Sequence, residues 1–157
     1  MILKCALAAV AAGDVASVLI SQGPAQGVQA RALTAKLQAK DVAVLIEGDC
    51  DLALAVKADG VLVAAADVAR AATRLSPDAI TGARCNSRHD AMSAGEAGAQ
   101  FIAFSGLGLI AWWAEIFEIP AVSLIPGAID TGAAFERPDD KMWQSPQIAS
   151  TIVKASP

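Results

Sequence analysis

Short apolar runs punctuate this chain at 15–20, 42–46, 60–63, 79–82, 100–104 and 121–125. Each is too short for a helix and fits a strand buried on both faces. Helical patterning fills the gaps, at 28–40, 67–75, 88–99 and 107–117. In the last of these, Leu107, Ile110, Ala111 and Ala114 share a face. A strand–helix unit roughly every twenty residues predicts a parallel α/β architecture, and suits a (β/α)8 TIM-type barrel better than a Rossmann sheet. The pair Gly106 and Gly108 lacks the third glycine of a dinucleotide loop and is discounted. The 157 residues suit a single domain over 1–157.

Hydrophobic residues make up 55% and aromatics 4%, so the core must be built mainly from Ala, Val, Leu and Ile. The net charge of −4 argues against nucleic-acid binding, which needs clustered Lys and Arg. Small anions remain open as ligands, because a few placed arginines or backbone N–H groups can hold them. Cys5, Cys50 and Cys85 are odd in number and far apart, with no zinc spacing, and His89 is the only histidine. They read as reduced thiols of a cytoplasmic protein. The opening 1–13 reads as a helix ended by Gly13 rather than as a signal peptide. No run reaches the roughly 18 apolar residues of a membrane span.

The chain opens on a helix, and 130–145 contains no clear strand. In a (β/α)8 barrel the first and eighth strands would then be the two unaccounted for, and those two are neighbours. Such a gap leaves two apolar edges exposed. Either a second copy closes it, as a homo-oligomer, or further chain segments do; the second is expected. The tail 146–154 is read as a last helix, with Pro146 in its first turn.

Three blocks carry a family resemblance. The first is Asp51-Leu-Ala-Leu-Ala-Val-Lys-Ala-Asp-Gly-Val61, a helix, a turn and a strand start. The second runs from Ala79 through Arg84, Asn86, Ser87-Arg-His-Asp-Ala-Met92 and Gly95-Glu-Ala-Gly-Ala99 to Gly106. The third is Trp112-Trp-Ala-Glu-Ile-Phe-Glu-Ile-Pro-Ala-Val-Ser-Leu124. Together they resemble the thiamine phosphate synthase and thiazole tautomerase barrels, over about 15–129. The resemblance implies a transferase of thiamine biosynthesis that joins an aminopyrimidine pyrophosphate to a thiazole phosphate. It implies small phosphorylated heterocycles as ligands and magnesium as cofactor.

Position by position, much of the family's chemistry is altered. Its strand-end Gln and Arg fall on Leu19 and Ser21, and its Asn-Asp pair on Glu47 and Gly48. Its His and Gln fall on Leu62 and Ala65, and the His of a later turn on Asn86. Its metal-binding Asp is kept as Asp67. The Thr-rich loop expected after Gly106 is absent, and the phosphate-binding Gly-Gly is Pro126-Gly127. The resemblance therefore points to Arg84, Asn86 and Gly127 for substrate binding and to Asp67 with Glu47 for the metal. Weak magnesium binding resting on Asp67 is the expectation.

Each residue also has a plainer role. Asp67 is placed to cap a helix, Glu47 and Asp49 to sit in a turn, and Ser87 with Asp90 to cap the helix carrying His89. Gln29 and Arg31 mimic a family motif but lie inside a helix. The alternative to an enzyme is a barrel without catalysis that binds a phosphorylated ligand or a partner. Backbone interruptions after Ser21, after Gly106 and within 130–143 would mark omitted loops.

Overall fold

A computed structural model of the chain describes residues 2–12, 15–137 and 151–154. The elements run α1 (Ile2–Ala12), β1 (Val15–Ile20), α2 (Gln26–Gln38), β2 (Ala43–Glu47), α3 (Cys50–Val56), β3 (Gly60–Ala64) and α4 (Val68–Arg74). Then come β4 (Ile80–Arg84), α5 (Arg88–Glu96), β5 (Phe101–Phe104), α6 (Leu107–Ile116), β6 (Ala121–Ser123), β7 (Phe135–Glu136) and β8 (Thr151–Lys154). Short 3-10 turns at Ala65–Asp67 and Ile129–Thr131 precede α4 and β7. The six apolar runs are β1 to β6, each within two residues of its expected bounds. The segment 88–99 is a helix as expected, ending at Glu96.

Strands β1 to β7 pair parallel in chain order. Strand β8 closes the sheet on itself, antiparallel to both β7 and β1. The parallel part is thus a seven-stranded α/β sheet, and the expected eight-fold repeat of parallel strands is not formed. A parallel eighth strand would need a crossover back to the N-terminal ends of its neighbours, usually through a helix. An antiparallel one can start at the end where β7 stops. The expected helix over 146–154 is corrected on its described part, since 151–154 is strand; Thr151, Ile152 and Val153 are β-branched and favour it. The gap assigned to a first and an eighth strand is filled by β7 and β8 of this same chain.

The helix α1 matches expectation, while Gly13 lies outside the described residues. The backbone passes without interruption from Ser21 into α2 and from Gly106 into α6, where Gly106 is the N-cap residue. The third expected interruption falls partly outside the described residues. Among the described residues no helix is long and apolar enough to cross a membrane.

Strand alternation builds two apolar layers. Leu19, Leu45, Leu62, Phe101, Ala103, Val122 and Leu124 fill the barrel interior. Val18, Ile20, Val44, Ile46, Val61, Val63, Ile102 and Phe104 face the helices. Among the described residues Trp113 on α6 is the largest buried side chain. Its indole stacks on Phe117 at 4.0 Å between centroids, and its Nε1 donates to the Ile119 carbonyl at 2.7 Å, which satisfies its one polar atom.

Two strand glycines are required by close approach. A Cβ on Gly60 would lie 2.1 Å from the Ile80 carbonyl oxygen, and one on Gly82 would lie 2.0 Å from the ring of Phe101. Backbone cannot move aside inside a paired strand, whereas an aromatic ring can. Gly60→Ala should therefore lose about 3 kcal/mol of unfolding free energy, and Gly82→Ala clearly less. Urea titrations of the two variants beside the parent check the order; equal losses would show that the ring is as fixed as the backbone.

Candidate functional site

The C-terminal ends of β2, β3 and β4 form the rim of a pocket of about 270 Å³. Its polar lining comes from Gln22, Glu47, Asp67, Arg70, Arg84 and Asn86. Alternation explains why Glu47 and Arg84 face each other. Glu47 follows Leu45 and Arg84 follows Gly82 on the interior face, each two residues further along its strand. Between them lies β3, whose Ala64 is paired in register with Arg84 and carries only a methyl group. Across β3 the Arg84 guanidinium pairs through Nη2 with Glu47 Oε1.

Glu47 is held from two further directions. Its Oε2 accepts the Gln22 backbone N–H at 3.2 Å, and its carbonyl accepts the Gln26 amide at 2.8 Å. Gln26 also donates to the Ile20 carbonyl at 3.1 Å, so one buried side chain ties the ends of β1 and β2 together. Nothing in the sequence pattern marked Gln26, because a polar residue in a Gly- and Pro-containing turn reads as solvated. Arg70 was also missed, although its signal was present: it lies three residues after Asp67, on the same side of a helical turn. Its Nη2 pairs with Asp67 Oδ1 at 2.7 Å.

The other sequence candidates separate cleanly. Asn86 lines the pocket with Glu47, Asp67 and Arg84, whereas Gly127 does not. Gly127 takes a left-handed φ of +82° in the turn after β6. The next two amides, of Ala128 and Ile129, donate to Glu136 Oε2 at 2.6 and 3.1 Å. Asp49 is an N-cap, accepting Leu52 N–H at 2.8 Å, and Ser87 caps α5 through Asp90 N–H at 3.1 Å. Asp67 occupies the N-cap position of α4 without making the capping bond; its carboxylate goes to Arg70 instead. His89 is exposed on α5 and lies outside the pocket lining. Gln29 and Arg31 are within α2.

The thiamine monophosphate synthase family model matches residues 2–107. The chain belongs to that family. Its relatives include thiamine-phosphate synthases of Rhodospirillum centenum, 34% identical over 88% of this chain and 81% of that protein, and of Hyphomonas neptunium, 36% identical over 92% and 80%. A third, from Erythrobacter litoralis, is 33% identical over 77% and 69%. Among solved structures, thiamine phosphate pyrophosphorylase from Pyrococcus furiosus superposes with a TM-score of 0.72. At 21% identity over 83% of this chain and 75% of that one, it shows the shared fold.

Within this family fold, the pocket's donor set does not suit the magnesium that the resemblance implies. Magnesium asks for carboxylate oxygens free to coordinate, usually one or two beside the substrate's phosphates. Here Glu47 gives one oxygen to Arg84 and the other to a backbone N–H, while Asp67 gives Oδ1 to Arg70 and keeps only Oδ2 outside that pair. With two guanidiniums against two carboxylates, these four groups carry no surplus negative charge to draw a dication.

Cys50 also lines the pocket, and burial raises its thiol pKa. Cys85 lies in the core beneath the helices, and burial, assisted by the Asp90 charge, pushes its thiol up to about 12. A folded-state value above the unfolded one, near 8.5, stabilises the fold below that unfolded value and is lost as pH rises toward 12. Cys85 should thus resist a thiol reagent at pH 8 until urea unfolds the chain, in a variant with Cys5 and Cys50 replaced by Ser. Over pH 8.5 to 10.5, unfolding free energy should fall more steeply in that variant than in the one that also carries Cys85→Ala. Rapid labelling of the native protein, or parallel pH slopes, would contradict the burial argument.

Proposed function

We propose that the chain is a thiamine-phosphate-synthase-type transferase, joining an aminopyrimidine pyrophosphate to a thiazole phosphate and releasing pyrophosphate. The observation that carries this reading is the Arg84–Glu47 pair in a pocket at the C-terminal strand ends, where barrel enzymes place their chemistry. The names of the relatives support it, since this chain matches most of the length of three thiamine-phosphate synthases. The alternative of a barrel without catalysis finds no support there.

In this reading Arg84 and Arg70 meet the negative charge that grows on the departing pyrophosphate. Such fixed donors lower a barrier only if they face the charge of the transition state. Glu47, gripped by Gln22 and Gln26, holds Arg84 in place, and Asn86 offers a neutral amide to the heterocycle. Gly127 is assigned no contact with the pyrophosphate; its left-handed turn stands beside β6 as a candidate for the second, phosphate-bearing substrate. The partners are small phosphorylated heterocycles, and the setting proposed is the cytoplasm.

The test is turnover. The full chain, supplied with both substrates with and without magnesium, should form thiamine phosphate, read by oxidation to a fluorescent thiochrome. Arg84→Ala should lower kcat/KM by about a hundredfold, within the range for removing one transition-state donor. A folded parent chain that makes no product above the uncatalysed background, with or without magnesium, would sink the proposal.

A further inference from the structure

We infer that this pocket grips the phosphoryl end of its ligand with Arg84 and Arg70 and needs no divalent cation to do so. The inference takes the identity of the anion, a diphosphate, from the transferase reading above. It rests on how the four charged groups are arranged. Both carboxylates that could serve a metal are ion-paired with arginines, Glu47 through Oε1 and Asp67 through Oδ1, and each arginine is engaged through Nη2 alone in its ion pair. A guanidinium carries five N–H donors in a planar fork, so the rest of each fork can turn to phosphoryl oxygens while the carboxylate holds the side chain. Asp67 and Glu47 then act as positioning residues for cations.

Pocket size agrees with this division of labour. At about 270 Å³ the pocket falls short of the roughly 300–1,000 Å³ that encloses a drug-sized ligand. It can enclose one end of a substrate, and its arginines define that end as the anionic one. The two pairs differ in exposure. Arg84 and Glu47 side chains are 38% and 16% exposed, Arg70 and Asp67 79% and 43%. Screening by water weakens exposed pairs, so Arg84 should dominate the grip.

Calorimetric titration of inorganic pyrophosphate into the full chain separates the possibilities. In EDTA, binding should occur, with a dissociation constant within about threefold of that in excess magnesium, after correction for magnesium pyrophosphate formation. Arg84→Ala should weaken it tenfold or more in EDTA, and Arg70→Ala by a smaller factor. Arg84→Lys should recover only part, because an ammonium is a point charge without the fork. Asp67→Asn should weaken binding to the same small degree in both buffers. Circular dichroism melts confirm that each variant is folded. Binding that appears only with magnesium and vanishes in Asp67→Asn would overturn the inference, as would no binding in either buffer.

The two readings fail separately. Thiamine phosphate formation alongside strictly magnesium-dependent pyrophosphate binding would leave the transferase standing and remove this inference. Binding in EDTA with no turnover in any buffer would do the reverse.

Discussion

Every central strand of this sheet is buried on both faces, and that constraint governs where anything polar can stand. Interior positions must be apolar along the strand body, since an unpaired polar group there costs roughly 1–3 kcal/mol. Leu19, Leu45 and Leu62 meet this demand in one interior layer. Only at the last interior position, where the strand opens to solvent, can a charged residue be tolerated. Glu47 and Arg84 occupy that position on β2 and β4. The periodicity that packs the barrel therefore also aims the two side chains at one another.

The pair is then a structural hinge pin as much as a chemical group. A partly buried ion pair is worth little in net stability, because desolvation offsets most of the attraction. Losing one member leaves the other uncompensated, however. The Glu47 carboxylate also accepts the Gln22 backbone N–H, and its backbone carbonyl accepts the Gln26 amide, so three neighbouring segments converge on one residue. Its strict placement is easier to explain as a support for Arg84 than as a solvated turn residue.

The strands β1 to β6 were legible because Val, Leu and Ile runs of four to six residues carry a strong signal. Ser87 and Asp90 were legible as a cap because that geometry is local. Strand β7 was not, since Phe135 and Glu136 make only two residues of pairing and no period can be read from two. Strand β8 was masked by the proline and the polar residues before it, although its β-branched triplet was a usable cue. Glu47, Asp67, Arg84 and Asn86, all singled out from the sequence, line one pocket at the strand ends. The sequence could not show that Asp67 turns to Arg70 rather than capping α4, because the helical backbone at Asp67, φ −97° and ψ −4°, departs from the extended conformation a cap uses and is set by the preceding 3-10 turn. Nor could it show Gln26, whose role depends on two carbonyls brought together by tertiary structure.

The seam of this sheet joins β1 to β8, and strands β2 to β7 are synthesised between them. Until β8 leaves the ribosome, the edge of Val15–Ile20 lacks its partner on that side. Translation proceeds at only about 5–20 residues per second. An apolar strand edge thus stands open while β2 to β8 are made, a template for pairing with any other extended chain. The antiparallel closure shortens that hazard at its end, since a strand entering from the near side can zip on without a crossover first being built. Cellular yield of this protein should then depend less on the final stability of the barrel than on how well that one edge is shielded while the chain is still growing.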